Sequence, residues 1–259
     1  MLGNLNTTGA RLVVAGLFLY GVTATVTLAA ERAPADPDAY RLMNRAVQAR
    51  ATWDEAFPGF TADVQLNYQG EVQRGTVQVS REGAIKFSGL DGDPARAWAY
   101  EWFGEMVFHR AGGQSAADQY RDIRFVGHRN DPLGPMLATS DEFDSSFRVD
   151  GKVIRQVNRN LAPQGASPVG GPKRVRINVL ATAGTPEGRV LPIQYVINYL
   201  DAEDQLTGVE AVSSRFVRLG GYNIPQWRRV ITTGNKVITT GELTLSNHQL
   251  VNESQAAVW

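Results

Sequence analysis

The chain has 259 residues, with 26 Lys and Arg against 26 Asp and Glu. That balance excludes a general nucleic-acid binder, which needs a net basic footprint to displace counterions. With no cysteine, disulfides, thiolate metal sites, a Cys nucleophile and a lipidated N-terminal Cys are excluded too.

The N-terminal stretch is polar up to Arg11, the only charged side chain before Glu31. An uncharged, largely apolar run follows from Leu12 to Ala30, diluted by Gly and Thr in its second half. Thr27-Leu28-Ala29 places small residues where a signal peptidase reads them, and Ala33-Pro34-Ala35 is a second candidate with proline beside the bond. Positive start, apolar centre and small-residue end predict a cleavable signal peptide over residues 1–29. The alternative is an uncleaved anchor, since spanning takes roughly 20 residues. Both readings place one β-rich domain, residues 30–259, outside the cytoplasm in the periplasm or extracellular space. Membrane contact is then through the N-terminal segment alone.

Asp36-Pro37-Asp38 is a helix start, with a capping side chain, proline in the first turn and an acid at the positive end of the dipole. Apolar spacing predicts a helix from Pro37 to Trp53, ended by Phe57-Pro58-Gly59. Phe60, Ala62, Val64, Leu66 and Tyr68 then alternate with polar residues, as in a strand with one wet face. Gln69-Gly70 and Glu82-Gly83 turn the chain into strands Glu71–Arg81 and Ala84–Ser88, a three-stranded meander. Asp93-Pro94 opens a second helix to His109, whose apolar face carries Trp98, Trp102, Phe103 and Met106.

Beyond a small-residue loop, Ala111–Ala117, the chain reads almost wholly as strands. Asp150-Gly151 is the strongest short hairpin signal, between Ser146–Val149 and Lys152–Val157. A Pro-, Gly- and Ser-rich loop spans Asn160–Pro172. Strands follow over Lys173–Val179, Val190–Leu200, Thr207–Val217, Tyr222–Thr232 and Lys236–Leu245. Pro225 predicts that its strand lies at an edge or is locally irregular. The fold class is therefore α+β and predominantly antiparallel: a curved sheet or incomplete β-barrel covered by two helices.

Two stretches resemble an uncharacterised bacterial domain-of-unknown-function family (DUF family 3386). One is Thr52-Trp53-Asp54-Glu55-Ala56-Phe57-Pro58-Gly59-Phe60-Thr61-Ala62-Asp63-Val64, with the strand Gly75-Thr76-Val77-Gln78-Val79. The other runs from Tyr222-Asn223-Ile224-Pro225 through Arg228-Arg229-Val230-Ile231 to Leu245-Ser246-Asn247-His248-Gln249-Leu250. This resemblance implies no activity and no catalytic residues. The element order is also similar to the LolA-type lipoprotein carriers, which implies an incomplete barrel holding acyl chains against helices. That likeness is one of pattern, and fold does not establish function.

No catalytic residue is assigned. A nucleophile elbow, a Walker phosphate loop and a dinucleotide-binding glycine motif are all missing. The three histidines, His109, His128 and His248, are scattered without zinc-ligand spacing, so no metal and no cofactor are expected. Asp141-Glu142-Phe143-Asp144 is acidic but lacks the spacing of an EF-hand. Arg121 and Arg124 could meet an anionic head group, but solvated charge at a strand edge is the preferred reading, while Arg228 and Arg229 point to opposite faces of their strand and form no simple clamp.

Three functions compete. The leading one is a non-catalytic carrier for a lipid or other apolar ligand, bound by Trp98, Trp102, Phe103 and Met106 with Phe60, Val64 and Leu66. A filled core without an apolar cavity would count against it. The second is an envelope module that binds another protein through an exposed apolar patch. The third is an enzyme whose polar site is assembled from His109, His128, Arg121 and Asp131.

Overall fold

The computed structural model describes residues 35–111, 120–162, 172–234 and 236–251. The proposed signal segment lies outside the described residues. Helix α1 spans Pro37–Gln48 and α2 spans Asp93–Phe108. Strands β1 (Phe60–Tyr68), β2 (Glu71–Val79) and β3 (Ile85–Ser88) precede α2. After it come β4 (Arg124–Val126), β5 (Met136–Ala138), β6 (Ser146–Asp150), β7 (Val153–Asn160), β8 (Arg174–Gly184), β9 (Val190–Leu200), β10 (Leu206–Leu219), β11 (Tyr222–Gly234) and β12 (Val237–Leu250).

All twelve strands join one open sheet in the order β3-β2-β1-β12-β11-β10-β9-β8-β7-β6-β5-β4. Every neighbouring pair is antiparallel. The chain builds one end of the sheet as β1–β3, crosses to the far edge through α2, and meanders back until β12 pairs with β1. Helix α2 is thus the only described element that connects the two edges. Register shifts break five of the ladders, among them β1–β12 between Thr61 and Asp63 and β10–β11 between Arg215 and Phe216. Bulges of this kind bend a strand and increase its twist, which gives the sheet its concave face.

Alternation decides what that face carries. On β1, Phe60, Ala62, Val64, Leu66 and Tyr68 are buried, while Asp63, Gln65 and Asn67 are exposed. The α2 stripe is regular: Ala95, Trp98, Ala99, Trp102, Phe103, Met106 and Val107 are all buried, at the three- and four-residue spacing of one helix face. It packs against β1, β11 and β12. A second, smaller core places Ala39, Met43 and Ala46 of α1 against Ile123, Leu137, Phe147 and Val149. Asp36 caps α1 by accepting from the Asp38 and Ala39 amides at 2.9 and 3.2 Å.

Helix α1 ends five residues before the expected Trp53. The reason is competition for backbone. Val190, the first residue of β9, donates to the Ala49 carbonyl at 2.7 Å and accepts from the Ala51 amide at 3.0 Å. Trp53 then bridges to Ala111, its amide donating to the Arg110 carbonyl at 2.6 Å. Residues 49–53 therefore form an extended tie between the ends of both helices and β9. Pro225 is not at an edge, since β11 lies between β10 and β12. It is irregular, because Phe216 pairs with Pro225 and Arg215 with Trp227, leaving Gln226 as the extra residue.

Gly59 has φ +90°, and a Cβ there would lie 2.4 Å from the Val79 carbonyl oxygen. The Phe57-Pro58-Gly59-Phe60 turn thus needs glycine both for conformation and for room. It presents Phe57, stacked on Trp53 at 4.0 Å and edge-on to Tyr222 at 5.1 Å. The Trp53 indole donates to the Asn223 carbonyl at 3.1 Å, and the Tyr222 hydroxyl donates to Asp54 at 3.3 Å. The two distant stretches that resemble the family accordingly pack on one another.

Candidate functional site

The contact between α2 and the concave face is mainly apolar. Trp98 is 6% exposed, Trp102 3%, Met106 2% and Phe103 0%, and they share one core with Phe60, Val64 and Leu66. Trp98 lies directly over Gly241 of β12: a Cβ at that glycine would meet the indole ring at 2.3 Å. The expected ligand-binding residues are therefore together, and they fill the space between helix and sheet. The two clefts that stand out among the described residues lie elsewhere and are lined mostly by polar residues. One, of about 460 Å³, sits at the β1–β12 bulge around Thr61, Asp63, Thr76, Asn247 and Gln249. The other, of about 610 Å³, lies beside the β1–β2 turn, around Asn67, Gln69, Arg229 and Glu242.

One polar knot crosses the apolar interface. Glu101, Glu105 and His109 follow each other at four-residue spacing along the flank of the α2 stripe, and Glu105 points at the sheet. Its carboxylate pairs with Arg228 of β11, accepts from the Tyr195 hydroxyl of β9 at 2.9 Å and lies 3.1 Å from His109 Nε2. Arg228 also donates to Ser214 Oγ at 3.2 Å and to the Trp102 carbonyl of α2 at 2.8 Å. Its guanidinium thus holds both a side chain and the backbone of the helix. Burial alone would raise the Glu105 carboxyl, but Arg228 and then His109 outweigh it and hold the group well below the usual carboxylate range. Burial pushes the Tyr195 phenol well above its ordinary value, with Glu105 adding to the rise, so it stays a neutral donor. A separate pair lies farther along the same face, where the Tyr199 hydroxyl donates to the buried Glu210 at 2.7 Å.

Two further arginines stand at the ends of the helices. Arg50 approaches His109 Nδ1 at 3.4 Å. Arg110, 4% exposed, donates to the Ala51 carbonyl and lies 5.4 Å from the Phe216 ring centroid.

The residues of the expected polar site are distributed differently. His109 takes Glu105 as its carboxylate, and Asp131 takes Arg148 at 2.9 Å. Arg121 and His128 are exposed on either side of β4. The His–carboxylate pair that exists, Glu105–His109, joins a structural knot rather than that group. Asp141 is a loop cap, accepting from the Phe143 and Ser145 amides at 3.1 and 2.8 Å. Among the described residues no group of three or more His, Asp and Glu could hold a metal.

The whole described fold falls within one family. The family described as "Protein of unknown function (DUF3386)" matches residues 35–251. This chain belongs to that family. No curated protein matches it. Among solved structures, it is similar to a LolA superfamily protein from Nitrosomonas europaea, with 11% identity over 83% of this chain and 94% of that one, at a TM-score of 0.31. It is similar to a DUF1329 family protein from Desulfovibrio piger, with 13% identity over 85% and 95%, at 0.29. A chain of the Pseudomonas aeruginosa MucA/MucB complex is 10% identical over 85% and 96%, at 0.19. These scores are low, and the description of the fold rests on the strand order itself.

Sequence reasoning missed Glu105 and Arg228 as partners. The signal was present in two places. Glu105 and His109 are four residues apart beside an apolar stripe, and Arg228 shares the inward phase of Val230 on β11.

Proposed function

We propose that this member of the family is an exported, non-catalytic binding domain of the bacterial envelope that carries a lipid or other apolar ligand between α2 and the concave sheet. What supports the reading is the character of that interface: a broad apolar contact crossed by a knot centred on one carboxylate, Glu105. A polar hold concentrated in this way lets the middle of α2 leave the sheet by breaking one knot, while the bonds of Arg110 to residues 51 and 53 keep its C-terminal end attached. The filled space counts strongly against a preformed ligand cavity, so the carrier reading requires a loaded form that differs from this one: α2 lifts and the ligand takes its place on Phe60, Val64 and Leu66. Gly89 and Gly92, with φ of +78° and +76°, lie in the link before α2 and suit a hinge.

The test is native mass spectrometry of the mature chain purified gently after export, with solvent extraction of whatever is bound. A lipid-sized adduct lost on denaturation supports the carrier. A clean apo mass, together with no uptake of added amphiphiles, sinks it. A protein-interaction module is the second reading, favoured by Val72, Leu206, Val237 and Ile238, which are 48–72% exposed around the turns at one end of the sheet. Cross-linking in the envelope that captures one discrete partner through these positions supports that alternative.

A further inference from the structure

The charges at the helix ends do not balance. Arg228 is neutralised by Glu105. Arg50 and Arg110 feel that carboxylate only at longer range: among the described residues neither forms an ion pair, and they hydrogen-bond to a histidine nitrogen and a backbone carbonyl. Arg110 is 4% exposed and its Nε is buried with no hydrogen-bond partner. A guanidinium is charged at any ordinary pH, and a buried charge without a counter-charge is costly. Burial and then the charge of Arg50 pull Arg110 down to about 10, and Glu105, already paired with Arg228, offsets this only in part. Arg50 and His109 are only partly buried, so solvent reaches the outer side of the pair. The inner side adjoins Phe216, Trp102 and Tyr195 through Arg110 and Arg228. The guanidiniums therefore sit at the edge of the α2 interface, with aromatic side chains behind them.

We propose that Arg50 and Arg110, on either side of His109, bind the anionic head of an amphiphile, a carboxylate or a phosphate, whose tail runs along α2. This rests on the carrier reading and adds the ligand's charge to it. Planar guanidiniums suit such oxyanions because they donate two parallel hydrogen bonds. An oxyanion on the Nε edge would also satisfy the orphaned Arg110 Nε while Nη1 keeps the Ala51 carbonyl. The apolar tail supplies affinity, and the head fixes which end enters last.

The test is isothermal titration of the mature chain with four probes: oleate, 1-oleoyl-lysophosphatidate, the neutral oleyl alcohol and inorganic phosphate. At least one anionic amphiphile is expected to bind tenfold or more tighter than the alcohol. Arg50→Gln, at a partly exposed position, and Arg110→Gln are each expected to weaken that binding about tenfold, as for loss of one charged hydrogen-bonding partner. Both leave the alcohol unchanged, and Arg229→Gln, on the outer face, changes nothing. Whether oleate or the lysophosphatidate gains more tells carboxylate from phosphate. If alcohol and anions bind alike and Arg50→Gln alters neither, the anion site is overturned while the carrier stands. If no amphiphile binds but phosphate does, and Arg50→Gln abolishes it, the amphiphile is overturned and a free-anion site remains. If nothing binds, both readings fall.

Discussion

Arg228 faces inward from a strand inside the sheet and grips α2 by side chain and backbone at once. Replacing it with Met strands Glu105 in a poorly solvated place without its cation. Removing one member of a buried pair typically costs about 3–5 kcal/mol. Urea unfolding of Arg228→Met is expected to show a loss of that order, and Arg228→Met with Glu105→Gln should recover part of it. Full additivity in the double variant would show that the pair is not coupled. The pH dependence follows from the depressed Glu105 carboxyl. Its contribution is complete above the unfolded carboxylate value, about 4.3, and is lost as pH falls toward the lower folded value. The stability gap between the native chain and Glu105→Gln should therefore stay flat from neutral pH to about pH 5, then shrink in acid. A gap that already changes between pH 7 and 6 would mean that the Glu105 carboxyl does not carry the effect. Gly241 makes a second residue-scale case. Its missing Cβ is what lets the Trp98 indole lie on the sheet, so Gly241→Ala should cost about 1–3 kcal/mol by overpacking. Combining it with Trp98→Leu should cost less than the sum, since the smaller side chain vacates the clash. The stripe containing Trp98 was legible from helical spacing, but its partner glycine was not. Nothing local to Gly241 says which ring from 143 residues upstream will cover it.

At the scale of elements, α1 and α2 are held differently. Helix α1 packs with its own apolar core against β4 and β6. Helix α2 combines a larger apolar stripe with the Glu105–Arg228–Tyr195 knot. Cutting the knot should thus loosen one helix and spare the other. Deuterium exchange of Glu105→Gln is expected to rise across Asp93–Phe108 and to stay unchanged across Pro37–Gln48. A uniform rise in both would mean global destabilisation and would remove the support for α2 as a separately moving cover. Most of these elements were legible from the sequence. Alternation marked β1 and β2, the glycine-containing turns marked the hairpins, and Asp36-Pro37 and Asp93-Pro94 marked the helix starts. Element ends were less legible where distant chain competes for backbone. The 49–53 segment continues the apolar pattern of α1, yet Val190 and Arg110 take its hydrogen bonds. Strand order was illegible for a related reason. The pairing of β1 with β12, and the placing of β4 at the edge opposite β3, depend on contacts between residues far apart in sequence. Alternation reports which face a residue takes, not which strand lies beside it.

For the whole molecule, the decisive question is where it works. A lipid-carrying reading makes sense only if the N-terminal segment exports the chain. The fold is compatible with removal of that segment. Asp36 both caps α1 and ties it to the sheet side, its amide donating to the Ile123 carbonyl at 2.8 Å. A cut after Ala29 leaves this cap intact with a short leader, Ala30 to Ala35, before it. Cleavage after Ala35 would place a new charged amino terminus on Asp36 itself, beside the positive end of the α1 dipole, where a cation is disfavoured. Export of the full chain in a Gram-negative host should accordingly yield a soluble periplasmic protein whose Edman sequence begins at Ala30. Ala29→Phe, which puts a bulky side chain where the peptidase reads a small one, should leave the chain uncleaved and in the membrane fraction. A native chain that stays membrane-bound with Met1 intact would make the segment an anchor and tie any ligand exchange to one membrane. A native chain retained in the cytoplasm would overturn the envelope reading altogether, and with it the supply of envelope lipids on which the carrier proposal depends.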